Sequence, residues 1–298
     1  MSLLDATIAR TLPFVPKPIV GQVSKRYIAG EAIDDALRVV ESLNARGIMA
    51  TVDVLGEHIH RTQEADAAVE EYQQTLVAFA ERGLQANVSV KLTAIGLRLD
   101  RKLCVRGLTE IVETAARYRN FVRVDMEDST CTEETLRVFL DVQEAHPNVG
   151  LAIQAYMRRS RDDVRTLVER KANIRLCKGI YNESRTIAYK DREIIRKNFT
   201  LLLDDLFRGG CYVGIATHDE FLVWDALRLI EKHGLTPEQY EFQMLLGVDE
   251  QMRQILVDAG HRMRVYVPFG RHWYAYSLRR LRENPKIGGY IFKNMFRR

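Results

Sequence analysis

The 298-residue sequence is short of the features that mark several common protein classes. It has four cysteines (Cys104, Cys131, Cys177, Cys211), scattered and without C-x-x-C spacing. That pattern excludes a disulfide framework and reads as reduced, buried thiols in a cytosolic compartment. No apolar stretch approaches the length of a membrane span. The Met1–Asp5 start has no basic n-region leading into an apolar h-region, so no secretory signal is expected. P-loop and G-x-G-x-x-G patterns are missing, which removes the two commonest phosphate-cradling motifs. Only His58 and His60 among seven histidines are closely spaced, too few for a zinc shell. A net charge of +4 is small for this length and gives no basic stripe of the kind nucleic acid selects.

What the chain does contain is a repeated alternation. Eight short apolar, β-branched runs end on a polar or charged side chain, and a helical stretch follows each. The runs are Ile48–Val54, Val88–Lys91, Val122–Asp125, Val149–Gln154, Ile174–Lys178, Tyr212–His218, Tyr240–Leu245 and Val265–Tyr266. Helical periodicity falls over Ile33–Ala45, Glu64–Arg82, Arg106–Arg119, Thr132–Ala145, Arg161–Arg170, Glu183–Arg208, Glu220–His233, Asp249–Ala259 and Trp273–Glu283. Thr130 and Thr132 read as caps ahead of Glu133 and Glu134, and Gly83, Gly209–Gly210 and Gly234 as helix stops. Strand–helix alternation of this kind predicts an α/β fold, a distorted (β/α)8 TIM-type barrel. The runs read as near-continuous apolar segments buried on both faces, which disfavours a sandwich. No linker follows residue 30, so residues 1–298 are expected to form one domain, with 1–30 as an N-terminal helical extension.

In a parallel barrel the strand ends converge on one mouth. They supply Asp53, Lys91, Asp125, Gln154, Arg175, Lys178, Thr217, His218, Gln243 and Tyr266. On the last helix Tyr276, Arg279, Arg280 and Glu283 share a face. Two adjacent guanidinium groups beside a tyrosine form a clamp suited to a small carboxylate, because arginine binds it bidentately. A solvated basic face paired with Glu283 is the plain alternative. Lys91 and Asp125 read equally as a structural ion pair, and Asp53 could face the mouth or pair with Arg175 or Lys91.

Several segments taken together resemble the flavin-dependent proline dehydrogenases. They are Val90–Thr93, Gln154–Tyr156, Arg175–Gly179, Ala216–His218, Glu241–Leu245 and Tyr276–Glu283, in the same strand order over roughly residues 45 to 285. The form resembled is the short, monofunctional bacterial one. The resemblance implies oxidation of L-proline to Δ1-pyrroline-5-carboxylate by hydride transfer to non-covalent FAD, with electrons passed to a membrane quinone. It also implies a separate pyrroline-5-carboxylate dehydrogenase downstream, and a cytoplasmic enzyme in peripheral contact with the inner face of the cell membrane. By match to the family's motifs, Arg279 and Arg280 would bind the substrate carboxylate, with Tyr266, Tyr276, Lys91, Leu245 and Glu283 around it. Asp125 and Arg175 would be catalytic, Arg175 lying near the flavin N5 edge. Met126, Gln154, Lys178, Gly179, Ile180, Thr217 and His218 would join Arg175 in holding FAD. Departures from the longer relatives are Asp219, where asparagine is expected, and a shorter Tyr266–Tyr276 spacing. The rival readings are a Schiff-base aldolase with Lys91 as nucleophile, and a non-catalytic barrel whose basic C-terminus meets nucleic acid or anionic lipid.

Overall fold

Alternation within each strand sets the architecture. Val52, Val88, Val90, Val122, Val124, Leu151, Ile174, Ile215, Phe242 and Val265 are buried in the main apolar cluster, together with helix residues such as Leu37, Leu76, Phe139 and Leu203. Residues of the opposite parity bond across the barrel: Arg175 reaches Asp125, and Tyr266 reaches the same carboxylate. Side chains alternate faces along a strand, so the outward set is apolar and the inward set polar. This corrects the expectation of near-continuous apolar strands. Both faces are buried, but only the outer one is hydrophobic.

In the computed structural model, which describes residues 20–21, 24–56, 59–274 and 276–278, eight parallel strands close in sequence order. The order begins α1 (Ile33–Asn44), β1 (Met49–Val54), α2 (Thr62–Glu81), β2 (Ala86–Val90), α3 (Arg101–Arg117), β3 (Val122–Val124) and α4 (Thr132–Ala145). It continues with β4 (Val149–Gln154), α5 (Ser160–Glu169), β5 (Asn173–Cys177), α6 (Arg192–Arg208) and β6 (Val213–Ala216). Next come α7 (Glu220–His233), β7 (Tyr240–Leu245), α8 (Glu250–Asp258) and β8 (Met263–Phe269), which pairs with β1. The closed (β/α)8 barrel is therefore as the sequence predicts, and no helix of the described residues is long and apolar enough to cross a membrane.

Boundaries differ where caps decide them. The helix expected from Glu183 starts at Arg192, because the Asp191 carboxylate accepts from the amides of Glu193 and Ile194, both at 3.0 Å. Residues 181–191 instead run as a loop past the barrel mouth. Similarly α3 starts five residues earlier than expected, capped by Asp100 through the Leu103 amide. Thr130 and Thr132 do not cap α4. Cys131 holds the cap position without a side-chain bond, and Thr132 turns its hydroxyl back to the Asp128 carbonyl. Gly83, Gly210 and Gly234 adopt the left-handed conformation at helix ends. Of the N-terminal extension and the last helix only short pieces are described, among them Trp273–Tyr274 and Tyr276–Leu278, which are helical.

Candidate active site

The mouth opens into a cavity of about 390 Å³. Its wall includes fourteen of the sequence-derived candidates: Lys91, Asp125, Met126, Gln154, Arg175, Lys178, Gly179, Ile180, Thr217, His218, Gln243, Leu245, Tyr266 and Tyr276. Strand ends from seven of the eight strands, β2 to β8, converge there, as barrel geometry dictates. Arg279, Arg280 and Glu283 lie outside the described residues. Tyr276, one turn earlier, is buried beside Ile28 and Leu55.

A charged network fills the floor. Arg175 Nη1 donates to Asp125 Oδ1 at 2.6 Å and to Ser89 Oγ at 3.0 Å. The Ser89 hydroxyl also donates to that carboxylate oxygen at 2.7 Å. Tyr266 OH donates to Asp125 Oδ2 at 2.8 Å, and its ring lies 5.3 Å from the Arg175 guanidinium carbon. Lys91 Nζ is 2.5 Å from Asp53 Oδ1, 3.5 Å from the Tyr266 hydroxyl and 3.8 Å from Asp125. Lys91 thus pairs first with Asp53, which answers the question of Asp53, and Arg175 pairs with Asp125.

The two carboxyls diverge in acidity. Burial pushes Asp125 up, but Arg175, Lys91 and the bonds from Ser89 and Tyr266 together outweigh it and hold the group below its usual value. Asp53 is fully buried, and desolvation raises its carboxyl despite Lys91, with the Asp125 charge adding to the rise. Asp125 is therefore an anion at neutral pH and a poor proton acceptor. Burial likewise lifts the Tyr266 phenol well above its ordinary range, so it stays a donor.

The rest of the wall carries amide, imidazole and basic groups, with Asp219 among them. Gln154 donates to the Glu127 carbonyl at 2.8 Å, and His218 Nε2 accepts the Leu245 amide at 2.9 Å. Because Nε2 accepts, the imidazole carries its proton on Nδ1. Lys178 and Arg196 converge on Asp219, at 3.0 Å and 2.7 Å, and hold that carboxyl far below its usual range against the effect of burial. Asp219 lines the cavity, so the residue noted as a departure from longer relatives is the anchor of a basic cluster. Gly179 has φ +106°, and a Cβ there would meet the Tyr156 ring at 2.1 Å. Bare backbone is thus obligatory at this point of the wall.

Sequence reasoning missed Ser89, Arg192 and the layer beneath the floor. There Glu241 accepts from Arg264 Nε at 2.7 Å, Gln243 Nε2 at 2.6 Å and the Tyr212 hydroxyl at 2.9 Å. Arg123, buried alongside, donates to the carbonyls of Asn173 at 2.7 Å and Leu151 at 3.2 Å. Strand parity was the available signal for Ser89, Arg123, Glu241 and Arg264, which lie two residues before the mouth residues Lys91, Asp125, Gln243 and Tyr266.

The chain is 35% identical to proline dehydrogenase 1 of Bacillus subtilis over 92% of its own length and 91% of that protein's. It is 34% identical to the proline dehydrogenase of Deinococcus radiodurans, with 92% and 90% covered. Among solved structures, proline utilization A from Bdellovibrio bacteriovorus superposes with a TM-score of 0.81 at 27% identity, covering 87% of this chain and 32% of that longer one. The family model for proline dehydrogenase matches residues 36–289, a span that takes in all eight strands and the whole described mouth. By that match and those relatives, the chain belongs to the proline dehydrogenase family.

Proposed function

We propose that the protein oxidises L-proline to Δ1-pyrroline-5-carboxylate as the first step of proline catabolism, using non-covalent FAD and passing electrons to a quinone. The observation that carries the reading is the Arg175–Asp125–Tyr266 floor, at the mouth of a barrel from this family. Arg175 presents a buried, fixed cation where negative charge would build as a hydride leaves the substrate. Preorganised charge of this kind is often the largest contribution to rate. When bound, FAD would supply the hydride acceptor.

The residues present suit such a group. Ala152, Ala216 and Gly179 leave space on the wall for a flat ring, while Gln154, Thr217 and His218 offer polar contacts. Lys178 and Arg192 place positive charge where an anionic tail would lie. Leu245 and Tyr276 would wall the substrate ring, and Arg279 and Arg280, with Glu283 beside them, would bind its carboxylate. Lys91 is better suited to orient than to attack. Its Nζ sits against Asp53 Oδ1 at 2.5 Å, a bond that an attacking amine would have to give up, which argues against a Schiff-base aldolase.

Quinone reduction would require contact with a bilayer and, without a spanning helix among the described residues, a peripheral one. The product would pass to a separate pyrroline-5-carboxylate dehydrogenase. The test is the visible spectrum of the purified protein without oxygen. A yellow chromophore, released by acid as FAD and bleached by L-proline, is the expected result. A colourless protein, or a flavin that proline leaves oxidised, overturns the proposal.

A further inference from the structure

We infer that Gln243 is a positioning residue for the proposed oxidation: its amide fixes the guanidinium of Arg175, and Gly214 is the gap that lets it do so. The inference rests on the role given to Arg175 above. Gln243 stands on β7 and Arg175 on β5, with β6 between them. Even so, Arg175 Nε donates to Gln243 Oε1 at 2.7 Å. The residue of β6 level with Arg175 is Gly214, which on its other side is level with Glu241. A Cβ on Gly214 would stand 2.4 Å from Gln243 Nε2 and 2.8 Å from its Cδ. Gly214 is not among the residues with positive φ, so its backbone would accept any side chain. What requires glycine there is the space that the glutamine amide occupies as it crosses the strand.

The amide has only one workable orientation. Its Nε2 donates to Glu241 Oε1 at 2.6 Å, and an ionised carboxylate can only accept. Glu241 is kept ionised at the floor of the barrel by Arg264, which binds both of its oxygens at 2.7 Å and 3.0 Å. The buried anion therefore forces the amide oxygen toward Arg175. With Asp125 and Ser89 holding Nη1, the guanidinium is gripped along two edges. Its plane is set by residues that share one chain of bonds down to Arg264. Gln243 also lines the cavity, next to the group it orients. A methionine at this position would fill similar volume but offer Arg175 no acceptor, leaving the buried Nε–H unsatisfied and the guanidinium held only at Nη1, by Asp125 and Ser89.

Two measurements on the full chain test this. In 15N–1H spectra, the Arg175 Nε–H signal, identified by its loss in Arg175→Lys, should exchange slowly with solvent. In Gln243→Met it should move and exchange at least about tenfold faster, as expected for loss of a buried bond to a charged donor. An unchanged signal overturns the inference whatever the fate of the proline reading. The second measurement is anaerobic flavin reduction by proline. Gln243→Met should slow it about tenfold at saturating proline with flavin content retained, and add less than about twofold in an Arg175→Lys background, the signature of a residue acting through another. An equal loss in both backgrounds, or no loss in the first, also overturns it. Gly214→Ala should reproduce the Gln243→Met spectrum and rate, and it carries the test if Gln243→Met does not fold. Failure of the parent protein to reduce flavin with proline would instead fault the proposed function, with the Nε–H signal still deciding the role of Gln243.

Discussion

The layer formed by Glu241, Arg264, Tyr212 and Arg123 and the layer formed by Asp53, Lys91, Asp125, Arg175 and Tyr266 share β3 and β8, where Arg123 stands two residues before Asp125 and Arg264 two before Tyr266, and both are largely buried. Residue types are alike in the two, as are the bond lengths. They differ in where the donors face. Around Glu241 the Tyr212 hydroxyl and both Arg264 contacts close on the carboxylate beneath the floor. Around Asp125 the donors Arg175 and Tyr266, with Lys91 behind them, are themselves cavity walls. Buried charge is therefore no marker of function by itself. Of the donors to Glu241 only Gln243 lines the mouth cavity, so this carboxylate braces the barrel, whereas Arg175 and Tyr266 line that cavity and are able to meet a ligand.

If that distinction holds, substitutions in the two layers should separate cleanly. Arg175→Ala should give the largest effect, slowing flavin reduction by about a hundredfold or more, the usual loss when one preorganised stabilising group is removed. Its proline affinity should change much less, since the role grows in the transition state. Rapid-mixing reduction across proline concentrations measures both, and a normal rate with loose binding would show the role to be wrong. Glu241→Gln should act mainly on stability, with a smaller effect on the rate through the Gln243 amide that Glu241 orients. Burial pushes this carboxyl up, but Arg264, Gln243 and Tyr212 hold it down, from 4.5 to about 2. A depression of that size corresponds to about 3 kcal/mol. Because the folded-state value is the lower one, this stability is present above about pH 4.5 and fades as pH falls toward 2. Denaturant unfolding of parent and Glu241→Gln should therefore differ at neutral pH and converge in acid. A gap independent of pH would mean that the carboxylate charge contributes nothing.

The mouth layer was legible in the sequence and the base layer was not, for a physical reason. Residues such as Lys91, Gln154 and Tyr266 stand where an apolar run stops, so a polar side chain there announces a strand end, and parallel closure brings such ends together. Glu241 and Arg264 sit inside their runs, where the eye reads interruption of a hydrophobic strand. Only the period-two alternation, applied to a barrel whose lumen is polar, places them. Asp53 was seen but not assigned, because the choice between Lys91 and Arg175 depends on the β1–β2 register. Residues 183–191 read as helix in sequence because their composition permits one; the stop is the Asp191 cap, a local bond that periodicity does not register.

Tyr266→Phe probes the mouth more gently. It removes one bond to an ionised carboxylate and leaves the ring over Arg175 in place. A bond of that type contributes about 1.5–3 kcal/mol, so KM for proline should rise about tenfold with the flavin retained. An unchanged KM would show that the phenol serves Asp125 alone and not the site.

The smallest effect expected is a shift in a pH profile. Hydride can leave the proline ring carbon only when the nitrogen lone pair is free, so turnover should fall as pH drops. Either a side chain takes the ammonium proton or the site makes that proton easier to lose. Asp125 is the carboxylate at the floor, yet Arg175, Lys91, Ser89 and Tyr266 keep its carboxyl below the usual range in spite of burial, far from the value a base needs near neutrality. Arg175 and Lys91 line the same cavity, and nearby positive charge disfavours a further cation. The proton being titrated should therefore belong to proline. In Asp125→Asn, one negative charge near the amine is lost, the ammonium form becomes less favourable still, and the acid limb should move to lower pH by less than about one unit. Anaerobic flavin reduction followed against pH in both proteins decides the matter. A limb that vanishes in Asp125→Asn assigns the proton to a side-chain base, and one that moves upward reverses the sign of the electrostatic argument.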